Sequence, residues 1–126
     1  MRFMTMVKGP EGVQPPPELF VALDKLGREA AQAGVMFDTG GLMPTAHSTE
    51  IRLTGGKISV TDGPFSEAKE VVGGYAIFEV ESKEQALEWA VRFMELHRDL
   101  WPGWDGATDL RQIFGGVDYG AEASGA

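Results

Sequence analysis

The sequence of 126 residues contains no cysteine. A chain without cysteine cannot have a disulfide framework, a cysteine-ligated zinc or iron–sulfur site, or a thiol nucleophile. Asparagine is also absent, which excludes an acceptor site for N-glycosylation. Basic residues are scarce, with 11 Lys and Arg against 19 Asp and Glu, so the formal net charge is −8. A negative protein repels nucleic acid and anionic membranes, and we expect neither as a partner.

Long apolar runs and common cofactor motifs are missing as well. No stretch approaches the roughly 20 apolar residues of a membrane-spanning helix, and the apolar start Met1–Val7 is too short for a signal-peptide core. There is no Walker loop, G-x-G-x-x-G segment or nucleophile elbow. The two histidines, His47 and His97, are too far apart in the sequence to form a metal site. We expect a cytoplasmic protein without metal or cofactor.

The composition that remains is that of a globular protein. Hydrophobic residues make up 43% of the chain and charged residues 24%, which is typical of soluble domains. The length predicts one domain, residues 1–119. The last residues, 120–126, are rich in Gly and Ala and are expected to form a flexible tail.

The apolar periodicity predicts two helices among several strands. The first helix opens at Pro15–Pro17, because proline is tolerated in the first turn, and stops at Gly34. Ser82 and Gln85 fit a capping box before the second helix. The predicted strands are Arg2–Lys8, Val35–Leu42, a hairpin of Glu50–Leu53 and Lys57–Thr61, Val72–Val80, and Leu110–Phe114. Without the hairpin, this order is the ferredoxin-like α+β plan, βαββαβ, with an antiparallel sheet and both helices on one face.

Two of these strands are apolar on both faces. In Tyr75–Val80 and in Phe3–Val7, the odd-numbered and the even-numbered side chains are both largely apolar. In the strands of a half-exposed antiparallel sheet, apolar and polar residues alternate instead. Leaving about 500 Å² of apolar sheet in water would forgo about 12 kcal/mol at ~25 cal/mol per Å². Two helices cover one face only, so the pattern predicts a homodimer in which a second copy covers the other. The alternative is that the hairpin and the loop Trp101–Trp104 fold over this face within one chain.

One motif identifies a family. Thr61–Phe65 reads TDGPF and is followed by Lys69-Glu70 and by Gly73–Tyr75. In this order, with the helix start at Ser82–Trp89, the chain resembles the DGPF family of the YCII-related group from Met1 to Phe114. The resemblance implies a dimeric α/β barrel, in which two ferredoxin-like sheets pack face to face around a cavity. The superfamily includes cofactor-independent isomerases, monooxygenases and dehalogenating enzymes, and also heme-dependent branches.

The resemblance implies two kinds of function. Some DGPF members are associated with extracytoplasmic-function sigma factors, which implies an accessory module with a regulatory protein partner or a small organic ligand in the cavity. The alternative is a cofactor-independent enzyme of isomerase, lyase or dehalogenase type. YCII-type members are proposed to use a His–Asp pair, and the helix stretch Leu19–Gly34 of this chain has no histidine.

Asp62 and His47 are the catalytic candidates. Asp62 begins the Asp-Gly-Pro-Phe segment, which is either a structural turn or places a base or ligand contact at the cavity mouth. His47 lies in the loop before the hairpin, where it is either a surface residue or a general acid or base.

The candidate ligand contacts are isolated polar and aromatic residues. Arg111 and Glu79 are lone charges in apolar strand patterns. Since a buried arginine needs a carboxylate, Arg111 is predicted to pair with Glu79 or Asp62 inside the barrel, or to anchor a ligand. Trp101 and Trp104 either pack in the core or interface or close the cavity. The ligand-binding candidates are Phe65, Tyr75, Glu79, Arg111 and Trp101.

Overall fold

The computed structural model describes residues 1–64 and 70–115. Its strands are β1 (Arg2–Gly9), β2 (Met36–Gly41), β3 (Thr49–Thr54), β4 (Lys57–Asp62), β5 (Val71–Glu79) and β6 (Ala107–Ile113), and its helices are α1 (Pro17–Gln32) and α2 (Lys83–Leu100). The predicted order is confirmed, although β6 begins at Ala107 rather than at Leu110. A short 3₁₀ helix, Thr45–His47, precedes the hairpin. Phe65 and the predicted tail 120–126 lie outside the described residues.

Both helices begin as the sequence predicts. Helix α1 has proline in its first turn, and the chain leaves it through Gly34, whose φ of 74° suits glycine. At the start of α2, Ser82 Oγ accepts from the Gln85 N–H at 3.2 Å, which confirms the predicted cap. Gln85 Oε1 in turn accepts from the Glu81 N–H at 2.8 Å. Neither helix in the described ranges has the length and apolarity to cross a membrane.

The sheet has the ferredoxin-like strand order. Four antiparallel strands are arranged β2-β5-β1-β6, which confirms the predicted α+β fold. Strands β3 and β4 form a separate two-stranded sheet, in which Ile51 lies opposite Val60 and Leu53 opposite Ile58. The hairpin is therefore an addition to the four-stranded plan.

The core fills one end of the space between sheet and helices. Its buried residues are Phe3, Ala30, Phe78, Val80 and Ala86. The two helices are joined above it by an ion pair between Arg92 and Glu29. The core lies around Phe3, near the start of β1. Further along the same strand, Thr5, Val7 and Gly9 line a cavity.

The second face of the sheet, which we call the open face, turns away from the helices. Met4 and Met6 of β1 lie there beside Tyr75 and Ile77 of β5, with which they are in register, and all four residues are half-buried. Ion pairs flank this apolar centre, Arg2 to Glu79 at 3.5 Å and Lys8 to Asp109 at 2.9 Å. The alternation thus predicted the apolar centre correctly but not the charged margins.

The described part of the chain leaves the open face uncovered. Every residue of β4 is exposed, and the apolar side chains of the hairpin are 67% to 72% exposed. The Trp101–Trp104 loop packs on the helix side instead, where the Trp104 ring lies 4.7 Å from the His97 ring. The alternative, in which these two segments cover the open face within one chain, is therefore wrong.

Candidate functional site

The sheet, the two helices and the loops after β1 and β2 line a cavity of about 830 Å³ that opens to solvent. Ligand sites commonly occupy roughly 300–1,000 Å³. The floor is the helix-facing side of β1 and β5, from Thr5, Val7, Gly74 and Ala76. Apolar side chains surround the mouth and remain exposed: Val13, Phe20, Leu42 and Met43. An apolar cavity with an apolar mouth is the candidate site.

One end of the cavity is aromatic. The Trp101 and Trp104 rings stack with centroids 5.5 Å apart and planes 20° apart. Trp104 packs directly against Gly9, where an added Cβ would lie 2.8 Å from the ring, and against Gly106, where a Cβ would overlap it. These two glycines allow the indole to lie against the backbone and form the end wall.

His97 of α2 is the buried titratable group of this wall. Its Nδ1 lies 2.9 Å from the Phe93 carbonyl oxygen. Since a carbonyl only accepts, the neutral ring carries its proton on Nδ1, and Nε2 is an acceptor. Burial lowers the pKa of His97 from its ordinary value of 6.5, because desolvation disfavours the charged ring. At neutral pH the cavity therefore presents an uncharged imidazole.

The Nε2 atom of His97 is not fully enclosed by the described residues. No described residue donates to it, and the described residues include no fully enclosed side-chain nitrogen or oxygen without a partner. His97 is itself only 6% exposed and lines the cavity. Access to Nε2 is therefore through this space.

Three threonines of the sheet supply polar groups to the cavity lining, and one of them, Thr108, donates from Oγ1 to Met94 Sδ at 3.1 Å. Thr5 Oγ1 donates to the Ala76 carbonyl at 3.3 Å, and Thr39 Oγ1 donates to the Tyr75 carbonyl at 2.9 Å. Each hydroxyl proton is thus used within the protein, and lone pairs remain to accept from a ligand.

Charged residues are confined to the mouth. Asp24 and Arg28 form an ion pair at 2.9 Å, with side chains 65% and 76% exposed. Glu11 accepts from the Thr45 N–H and from the Thr45 hydroxyl, the latter at 2.8 Å. Each of these charges has a partner outside the interior, so the described lining offers no counter-ion to a charged ligand inside.

Trp101 and Tyr75 are the predicted site residues that line the cavity. Trp101 contributes its ring to the aromatic end. The Tyr75 ring instead lies against Gly40 on the open face, and its hydroxyl donates to Asp38 at 3.3 Å. Tyr75 therefore borders the cavity through its backbone position rather than with its phenol.

Asp62 and His47 lie together at the base of the hairpin. Asp62 pairs in register with Thr49 and accepts from the Thr49 hydroxyl at 2.9 Å, while His47 ends the preceding 3₁₀ helix. The next residue, Gly63, donates to the Ser48 carbonyl at 2.8 Å. An added Cβ at Gly63 would overlap the Thr45 carbonyl. The Asp-Gly-Pro segment thus makes a tight structural contact beside the mouth.

The predicted ion pair between Arg111 and Glu79 or Asp62 is wrong within the described residues. Glu79 pairs with Arg2, and Asp62 is bonded to Thr49. Arg111 lies opposite Met4 on the open face and is exposed. The apolar neighbours of Arg111 in β6 predicted that its side chain is buried. They do not reveal that the open face of the sheet has charged margins, where Arg111 lies. Phe65 lies outside the described residues.

Sequence reasoning missed His97 as a site residue. The available signal was its position on the apolar stripe of α2, five residues after Arg92 and four before Trp101, but the same pattern is also typical of a plain core histidine. Only the fold shows that the stripe faces a cavity at this point. In residues 1–64 and 70–115, no three His, Asp or Glu side chains cluster as a metal site would require.

Comparison with known proteins places the chain in a family. It is 32% identical to an uncharacterised protein of Rhizobium meliloti over 68 residues, which are 54% of this chain and 55% of the relative. The match thus spans about half of the relative's length. Among solved structures, the 5-chloro-2-hydroxyhydroquinone dehydrochlorinase of Burkholderia phenoliruptrix, in complex with 2,5-dihydroxybenzoquinone, is 16% identical, with a TM-score of 0.45 over 92% of this chain and 96% of that one.

The family model of the YCII-related domain matches residues 1–95. This range includes β1 to β5, α1 and most of α2. Since the match extends over far more than half of the chain, the chain belongs to the YCII-related family.

Proposed function

We propose that this protein binds a small, largely apolar organic molecule in the cavity between its sheet and its helices. The observation that carries the proposal is the cavity itself, about 830 Å³ with an apolar lining and an apolar mouth. Burial of about 200 Å² of ligand surface would contribute roughly 5 kcal/mol at ~25 cal/mol per Å², before the cost of immobilising the ligand.

Tryptophan fluorescence tests this proposal directly. All three tryptophans of the chain, Trp89, Trp101 and Trp104, line the cavity. A small-molecule screen should therefore find apolar compounds that change the emission and also raise the melting temperature, since binding to the native state stabilises it.

A substitution at Gly27 provides a matched control for the screen. Gly27 lines the cavity from α1, and an added Cβ there meets no atom within 4 Å. A side chain can therefore be added at this position without a clash at its Cβ. Gly27→Phe should abolish binding and Gly27→Ala should preserve it. Equal binding by both variants would contradict the proposed location.

A second candidate function is proton transfer by Asp62 or His47, in an isomerase, lyase or dehalogenase reaction. One observation favours it: Pro44, which lines the mouth, directly precedes the 3₁₀ helix that ends in His47. A ligand found in the screen should then be converted on incubation, as mass spectrometry would show. Conversion, but not binding, should be lost in Asp62→Asn or His47→Gln. Binding without conversion supports the first proposal alone.

We also propose that the protein is a homodimer joined through its open face. An apolar centre with charged margins, as around Met4 and Ile77, is the usual anatomy of a protein interface. The hairpin adds Ile51, Leu53, Ile58 and Val60, which the register places on one face and which are 67% to 72% exposed. A stable interface needs about 800 Å² from each partner. The regulatory protein partner and the cytoplasmic location remain predictions from the sequence.

A further inference from the structure

The aromatic end of the cavity favours a flat ligand. Trp101 lies nearly parallel to Trp104, with 20° between their planes, and within 30° of the His97 ring. Aromatic rings prefer offset-stacked partners at such sites. A planar ring fits this end of the cavity better than a branched aliphatic group does.

The ligand must also supply a hydrogen-bond donor. The Nδ1 proton of His97 is held by the Phe93 carbonyl, which leaves Nε2 as a buried acceptor. A purely apolar ligand at this position would remove water from Nε2 without replacing its hydrogen bond, at a cost in affinity. A hydroxyl group next to Nε2 makes that bond.

The ligand should further be uncharged. The charged groups of the described lining lie at the mouth, where Arg28 pairs with Asp24 and Glu11 is bonded to Thr45. An ionised group inside would lose its hydration without gaining a counter-ion, which is costly in an apolar environment.

We propose that the cavity takes a neutral aromatic molecule with a hydroxyl group, a phenol, which stacks on Trp101 and donates a hydrogen bond to Nε2 of His97. This inference rests on the proposed binding function and names its ligand class. It assigns His97 as the residue that distinguishes hydroxylated from unhydroxylated rings.

The test compares phenol with anisole, which has the same ring but no donor. Both are neutral at pH 7, since a phenolic hydroxyl has a pKa of about 10. Titration against tryptophan emission at millimolar concentrations should give a Kd for phenol about fivefold below that for anisole, as one net hydrogen bond of about 1 kcal/mol predicts. Benzoate and benzylammonium, which carry a charge, should bind more weakly than phenol.

The variant His97→Phe removes the acceptor and keeps an aromatic ring. The preference for phenol should disappear in this variant, while anisole binding is retained. A preference that persists in His97→Phe, or equal affinities in the wild-type protein, would overturn the role of His97, and tighter benzoate binding would overturn the uncharged ligand. The wild-type comparison remains decisive if the variant does not fold.

Failure of the inference is distinguishable from failure of the proposed function. If phenol and anisole bind equally in the wild-type protein and Gly27→Phe blocks both, the cavity binds ligands but His97 does not select them. If neither compound changes the emission, and no apolar compound of the screen does, the cavity is not a binding site and the inference fails with it.

Discussion

Glu11 accepts two hydrogen bonds from Thr45, one from its backbone N–H and one from its hydroxyl. This contact joins the loop after β1, which borders the cavity mouth, to the 3₁₀ helix that leads into the hairpin. One carboxylate therefore fixes the relative position of the mouth and the hairpin base.

Glu11→Ala should loosen the mouth and lower the free energy of unfolding by about 1–2 kcal/mol, since it removes two hydrogen bonds that are each worth roughly 0.5–1 kcal/mol. Chemical denaturation measures the change. Glu88→Ala is the control, because Glu88 is exposed on α2 and its removal should change stability by less than about 0.5 kcal/mol. Equal effects of the two substitutions would show that the contact with Thr45 contributes nothing.

Gly63→Ala and Gly27→Ala should change stability in opposite directions. The new Cβ at position 63 would overlap the Thr45 carbonyl, and the required backbone shift should cost about 2–3 kcal/mol. The new Cβ at position 27 meets open space in a helix interior, where alanine is favoured over glycine by about 0.5–1 kcal/mol. Thermal unfolding of both variants checks the signs. A neutral Gly63→Ala would mean that the turn is not tightly packed.

The sequence was sufficient to predict the order of elements because the local signals agree with the fold. The prolines before α1, the Ser82 cap and Gly34 each mark a helix boundary for a reason internal to the segment. Strand alternation also predicted that side chains such as Met4 and Ile77 make the second face apolar at its centre.

The site was not predictable in the same way, because it depends on which side chains face each other across the fold. Periodicity places His97 on an apolar stripe whether that stripe meets a core or a cavity. Likewise, the pattern around Arg111 does not reveal that β6 is an edge strand, where an exposed charge is tolerated. Partner choice for Glu79 follows from strand register, and register places it opposite Arg2.

Arg111→Met should leave stability nearly unchanged, within about 0.5 kcal/mol, because the exposed guanidinium has no carboxylate partner among the described residues. Arg2→Met is the matched comparison. It removes both the pair with Glu79 at 3.5 Å and a guanidinium 3.9 Å above the Phe37 ring, a loss of about 1 kcal/mol. Denaturant titrations that rank Arg111→Met as the more harmful change would contradict the assigned pairs.

Ile77→Lys should dissociate the proposed homodimer, because it places a charge at the apolar centre of the open face. The wild-type protein should sediment at twice the chain mass of 13.6 kDa, and the variant at the chain mass. Val21→Lys makes a comparable change at a 72% exposed site on α1 and should leave the dimer intact. A wild-type protein that sediments as single chains at about 100 μM, far above the Kd of a stable dimer, would contradict the proposal.

His97 should make stability depend on pH near neutrality. Burial lowers its pKa in the folded chain below the ordinary value of 6.5, so the unfolded chain binds more protons between these two values. Stability therefore rises with pH across this window, by at most about 1.4 kcal/mol per pH unit for one proton. The contribution is fully present above pH 6.5 and is lost as the pH falls through the lowered value.

Denaturation curves between pH 5 and 7.5 (about the range in which histidine titrates) separate this effect from that of the carboxylates. Hydrogen bonds from Arg92 and Arg98 lower the pKa values of Glu29 and Asp99 from 4.5 and 3.8, so their contributions are lost only at lower pH. His97→Phe should flatten the curve in this range, because it removes the buried group whose pKa is lowered. If His97→Phe leaves the slope unchanged, the slope does not come from the imidazole in the cavity, and the role of His97 as a buried acceptor fails with it.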